Sequence, residues 1–111
     1  MNNEQQRKIL ECADKACGVE LDEETREPFT IDDDGWYWWN PLTNPADTAE
    51  MCAELGICTL FFDSEQKVSC GFLAQDKGPT LAHIEPYGNS RLKAWMYAAT
   101  MVAAKIGGYW E

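Results

Sequence analysis

Apolar positions along the 111-residue chain change their period several times, and each change marks an element. Over residues 4–17, Ile9, Cys12, Ala13 and Ala16 fall on one stripe of a helix that Gly18 ends. That stripe is short and made largely of small side chains, so the helix needs something to lean on. Residues 19–34 lose the pattern. They are acidic and contain Pro28, and they predict a loop with a short extended piece at Phe29–Ile31. After Gly35, the run Trp36-Tyr37-Trp38-Trp39 suits an extended segment, because aromatic side chains fit a pleated surface.

The next stretch, NPLTNPADTAEMCAELG, carries the clearest local signature. Asn44 can cap a helix whose first position is Pro45, where a missing N–H costs nothing, and Asp47 sits favourably in the first turn. Ala46, Ala49, Cys52 and Ala53 form the expected buried stripe, and Gly56 is the stop signal. From Ile57 the period becomes two. Cys58, Leu60 and Phe62 point one way, DSEQK (Asp63–Lys67) makes a hairpin turn, and Val68, Cys70 and Phe72 return on the same face. QDKGP closes that strand and Thr80–Glu85 is a third. Pro86, Gly88 and Asn89 turn the chain, and Ser90 caps a last helix running to about Ile106. Leu92, Trp95, Met96, Ala99, Val102, Ala103 and Ile106 recur along it at three-and-four spacing, which makes it the main core element.

Helix, strand-like segment, helix, three strands, helix is the order of an α+β fold. Short connections favour an antiparallel sheet of three to four strands packed with three helices, in the manner of an α-β-α sandwich. One domain over residues 1–111, with an acidic loop at about 19–34, accounts for the whole length.

Composition narrows the class. No stretch approaches the roughly 18 apolar residues of a membrane span. The N-terminal MNNEQQRKIL lacks a secretory pattern, which points to a cytosolic protein. Five cysteines, an odd number without a secretory signal, argue for free thiols acting as small apolar residues rather than a disulfide framework. No CxxC occurs and the single histidine, His83, lies far from any cysteine pair, so a zinc site is not expected. Charge says more. The formal net charge is −10, and residues 1–34 hold eleven acids against four bases. Between Glu20 and Asp34 only Arg26 opposes eight acids. Such a chain repels phosphates, which disfavours direct binding to nucleic acid, and it suits a basic surface.

Several of these motifs together resemble the small bacteriophage proteins of the NinX type, grouped as a phage α-β-α sandwich domain. The resemblance runs through the short first helix, the aromatic stretch entering Trp38-Trp39-Asn40-Pro41, and the helix opened by Asn44-Pro45-Ala46-Asp47. The hairpin and the alanine-rich last helix entered at Asn89 and continuing to Lys105 extend it over nearly the whole chain. The acidic segment Glu20–Asp34 departs from the family pattern. Membership would imply a phage or prophage origin and a host-cytoplasmic setting, and it supplies no catalytic residues. Residues 44–106 also follow the helix–three strands–helix order of double-stranded-RNA-binding domains. Those domains grip phosphates with a lysine cluster at the start of the last helix, where this chain has only Arg91 and Lys93.

Candidate chemistry is sparse. Placing Gly35 at the sixth position of a calcium loop puts Asp32 and Asp34 correctly, but leaves Thr30 first and Pro41 twelfth, so the loop fails at both ends. A solvated acidic turn is the better reading. His83 sits in a strand between Ala82 and Ile84 and belongs to no recognisable nucleophile–base motif. No cofactor or metal is expected, and an enzyme is the minority reading.

The aromatic run remains. In an extended segment Trp36 and Trp38 share one face, Tyr37 and Trp39 the other. One pair should pack on the core against Trp95 and Met96, leaving the other for the first helix or for a partner. An apolar anchor beside carboxylates describes an interface, with charge steering the encounter and indole rings supplying affinity. The expected partner-binding set is Glu23, Glu24, Asp32, Asp33, Asp34, Trp36, Tyr37, Trp38 and Trp39. The leading expectation is a non-enzymatic phage-type protein that binds a basic host protein, as an inhibitor of a host-defence or nucleic-acid enzyme or a nucleic-acid mimic. The alternatives are a homodimer that buries its aromatics, and a small-molecule or nucleotide-binding domain that stacks its ligand on them.

Overall fold

Helix α3 (Arg91–Ile106) is the element around which the rest is arranged. In the computed structural model, which describes residues 3–18, 20–21, 23–24, 28–32, 35–73 and 80–109, the Ser90 hydroxyl accepts from the Lys93 N–H at 3.1 Å and caps the helix as its sequence predicts. Its burial is wider than a single stripe. Ala98, Ala99, Val102 and Ala103 join one core, while Met101 and Ala104 join a second on the far side. The cause is position: a sheet lies against one side and helix α1 (Asn3–Cys17) against another. Leu92, expected on the core stripe, is instead 49% exposed at the helix entrance.

Helix α1 follows its pattern. Ile9 packs with Met101, Ala104 and Tyr109, and Ala13 enters the main core. Gly18 ends it at φ +73, donating its N–H to the Asp14 carbonyl at 2.8 Å. Gly107 has a different task. A Cβ there would run into the Cys12 carbonyl oxygen, so glycine is what lets the end of α3 lie directly on the α1 backbone.

Helix α2 (Pro45–Leu55) is capped as expected, with Asn44 Oδ1 accepting from the Ala46 N–H at 3.0 Å and Gly56 left-handed at φ +75. Its inward face differs from the expected one. Asp47, Thr48 and Met51 are buried, whereas Ala46, Ala49 and Ala53 are exposed and only Cys52 of the predicted stripe packs on the core. Hydrogen bonds decide the rotation. Asp47 Oδ2 accepts from the Asn40 N–H at 2.9 Å, and Thr48 Oγ1 donates to the Pro41 carbonyl at 2.6 Å. These polar side chains turn inward because the preceding loop supplies partners that would otherwise be buried unsatisfied.

Strands β1 (Glu20–Leu21), β2 (Pro28–Asp32) and β3 (Gly35–Trp38) form one antiparallel sheet; β4 (Cys58–Phe62), β5 (Lys67–Leu73) and β6 (Thr80–Pro86) form another. The first sheet corrects the expectation of a loop over 19–34. Phe29 pairs with Trp38 and Ile31 with Trp36, so the strand that holds β2 in place on that side comes from beyond the acidic segment. Pro28 is tolerated because it opens a strand.

In the second sheet the expected faces are also corrected. Phe62 pairs with Lys67, Leu60 with Ser69 and Thr59 with Cys70. Lys67 belongs to the strand and not to the turn, which leaves the connection to a 3-10 turn over Asp63–Glu65 and to Gln66 at φ +56. That one-residue change of register moves Cys58, Leu60 and Phe62 to the face opposite Val68 and Cys70. Val68 and Cys70 are fully buried beneath α3, and Leu60 is 64% exposed.

Candidate protein-binding hairpin

The β2–β3 hairpin places the backbone of Asp32 and the aromatic run Trp36-Tyr37-Trp38 in one small structure. Asp32 pairs with Gly35, which adopts φ +126, a conformation open to glycine and strained for other residues. Asp33 and Asp34 fall in the two-residue connection between them and lie outside the described residues, as do the side chains of Asp32 and Trp36. Glu23 and Glu24 sit exposed in the turn between β1 and β2. Tyr37 and Trp38 are 36% and 43% exposed. As neighbours in a strand they point to opposite faces, so both faces of this hairpin offer aromatic surface.

Trp39 has a different fate. It is 4% exposed and packs in the main core with Ala99, Val102 and Trp95. Its assignment to the partner-binding set, and its expected pairing with Tyr37 on one face, are therefore corrected. Strand β3 ends at Trp38, and the chain turns inward through Asn40-Pro41, so alternation stops one residue before Trp39. Asn40 anchors that turn. Its backbone N–H donates to Asp47 Oδ2, its Oδ1 accepts from the Leu42 N–H at 3.0 Å, and its carbonyl accepts from the N–H groups of Thr43 and Asn44. Burial raises the Asp47 carboxyl above its ordinary range, and the Asn40 N–H opposes that shift by stabilising the charged form. The exposed hairpin is thus rooted through Trp39 and the Asn40–Asp47 contact. The sequence signal for this anchor is the Asn40-Pro41 pair repeated four residues on as Asn44-Pro45, the second pair opening α2.

A cleft of about 350 Å³ opens beside the same turn, lined by Gln6, Asn40, Leu42, Lys93, Met96 and Tyr97 among others. Neither Tyr37 nor Trp38 lines it. His83 of β6 is the single histidine of the chain. The register sets it beside Cys70, but Cys70 is fully buried, its thiol is raised by burial, and it lies 3.5 Å from Thr59 Oγ1. His83 Nε2 instead meets Glu85 Oε1 at 3.0 Å, with its ring edge-on to Tyr97. The first contact stays within β6, and the ring contact joins β6 to α3. Burial, with Glu54 and Asp14 nearby, pushes the Cys17 thiol up to about 11, and burial pushes Cys52 up to about 12, so both remain protonated and poorly nucleophilic. All five cysteines are free, as their number suggested. Among the described residues no group of histidines, cysteines and acids is arranged to hold a metal, and no helix is long and apolar enough to cross a membrane.

Fold and surface together define an α+β protein that presents an aromatic hairpin from a helix-covered core. No family model, curated protein or solved structure matches the chain.

Proposed function

We propose that the protein acts by binding another protein, a basic one, through the β2–β3 hairpin, and that it works by docking and not by catalysis. The observation that carries this reading is the exposure of Tyr37 and Trp38 on both faces of a hairpin whose sequence holds the chain's densest acids. Aromatic residues of this kind dominate interface affinity, and adjacent carboxylates accelerate the approach of a cationic surface. A protein surface that ordinarily contacts nucleic acid has the required charge. Occupying it would make this chain an inhibitor by nucleic-acid mimicry, and the resemblance of its motifs to those of small phage proteins points to a host-defence or nucleic-acid enzyme as the target.

The test is capture from a host lysate at low and high salt, with the native chain and with Tyr37→Ala/Trp38→Ala as baits. Partners held by the hairpin should be basic, should be released by salt, and should bind the double variant at least tenfold more weakly. If the two baits retain the same proteins equally, the hairpin is not the binding site.

A further inference from the structure

Strand β4 is the least protected element of the second sheet. Its sequence, Cys58-Thr59-Leu60-Phe61-Phe62, contains no charge and no proline, and every residue except Thr59 is exposed. Leu60 is 64% exposed on the outer face, while Phe61, on the α3 side, is 41% exposed. The strand order β4-β5-β6 also leaves the outer backbone edge of β4 without a paired strand among the described residues. The opposite edge is treated differently. Lys105 Nζ donates to the Ala82 carbonyl of β6 at 2.9 Å, and β6 ends in Glu85 and Pro86. Lysine, charge and proline are the usual devices that stop an edge strand from pairing, and β4 has none of them.

We propose that β4 pairs antiparallel with β4 of a second copy, joining the two three-stranded sheets into one of six strands. Two observations select a second copy as the occupant. The strand is complementary to itself: a twofold axis at Leu60 is the register that pairs all five residues, with Leu60 on Leu60 and Cys58 beside Phe62. The surroundings are electrically balanced in a chain of net charge −10, because Asp63 faces Arg91 and Glu65 faces Lys67. A basic partner finds no acidic excess at this edge, and two acidic chains can meet there with little local repulsion. The strand is also held ready, since Trp95 Nε1 donates to Thr59 Oγ1 at 3.0 Å and ties β4 to α3. This pairing is independent of the hairpin function, and salt separates the two. Screening weakens the attraction of the hairpin for a basic protein, but it strengthens association between like-charged copies.

Sedimentation or light scattering of the whole chain from 10 to 500 µM tests the proposal. A dimer that grows with concentration and with salt is expected. Leu60→Lys should shift the midpoint at least tenfold towards monomer while circular dichroism and the Tm measured well below that midpoint stay unchanged, since the side chain is solvated in the monomer. In the Phe62→Cys variant, oxidised glutathione should link the new thiol to Cys58 of the second copy. A monomer throughout the range, a dimer indifferent to Leu60→Lys, or links to other cysteines would each overturn the pairing.

Discussion

The two sheets of this protein have the same number of strands and the same antiparallel order, yet they do opposite things. The β4-β5-β6 sheet lies against α3 along β5 and β6, and its Val68 and Cys70 are wholly shut from water. The β1-β2-β3 sheet meets the helices mainly where β2 approaches α1, and its Tyr37 and Trp38 stay exposed. Covering one face of a sheet converts aromatic and aliphatic side chains into stability, at about 25 cal/mol per Å² removed from water. Leaving them uncovered keeps the same side chains available for a partner. Trp39 sits at the boundary and belongs to the covered half, which is how a surface hairpin acquires a fixed root.

The largest blow to the covered half should come from Gly107→Ala. The new methyl meets the Cys12 carbonyl, and α1 must move off α3. A cost of about 3 kcal/mol, a Tm drop of roughly 10–20 °C, is expected by thermal denaturation. An unchanged Tm would mean that the α1–α3 contact is not what holds the covered half together.

Asp14 gives the next effect, and it depends on pH. This residue of α1 is buried, its Oδ1 has no hydrogen-bond partner among the described residues, and burial together with the nearby Glu11 raises its pKa from 3.8 to about 6. The folded state therefore holds a proton that the unfolded chain has already lost between about pH 4 and 6. Stability from this group is present below pH 4 and is lost as pH rises through 6, a cost of about 2–3 kcal/mol at pH 7. Asp14→Asn should accordingly raise Tm at pH 7 and change it little at pH 4. A variant equally affected at both pH values would show that the carboxyl is not buried as a charge.

The smallest effect on stability should come from the open hairpin. Tyr37→Ala or Trp38→Ala should each cost under about 1 kcal/mol, because neither side chain is enclosed and the cross-strand contacts of an exposed pair, such as Trp38 opposite Phe29, are worth little. A loss above about 2 kcal/mol in denaturant unfolding would erase the contrast between the two sheets.

Much of this could be read from the chain. The ends of all three helices follow from Gly18, from Asn44-Pro45 with Gly56, and from Ser90 with Gly107, since caps and stops are local chemistry. The strand locations after Ile57 were also legible from their period of two. Faces were not. Whether Lys67 turns or pairs decides which side of β4 is inside, and that depends on the geometry of one left-handed residue, Gln66. Likewise Asp47 and Thr48 look like exposed polar positions until the Asn40-Pro41 turn brings its N–H and C=O groups to them.

By itself the sequence determined an α+β chain with three helices in known places, a strong acidic bias and a concentration of aromatics after Gly35. It could do so because propensity, capping and charge act between residues close along the chain. Only the tertiary structure decided that the strands Glu20–Leu21, Pro28–Asp32 and Gly35–Trp38 form a sheet, that Trp39 is a root and Trp38 a surface, and that β4 is left bare while β5 is sealed. Burial and register are set by partners far away in the sequence, and no local pattern encodes where those partners will arrive.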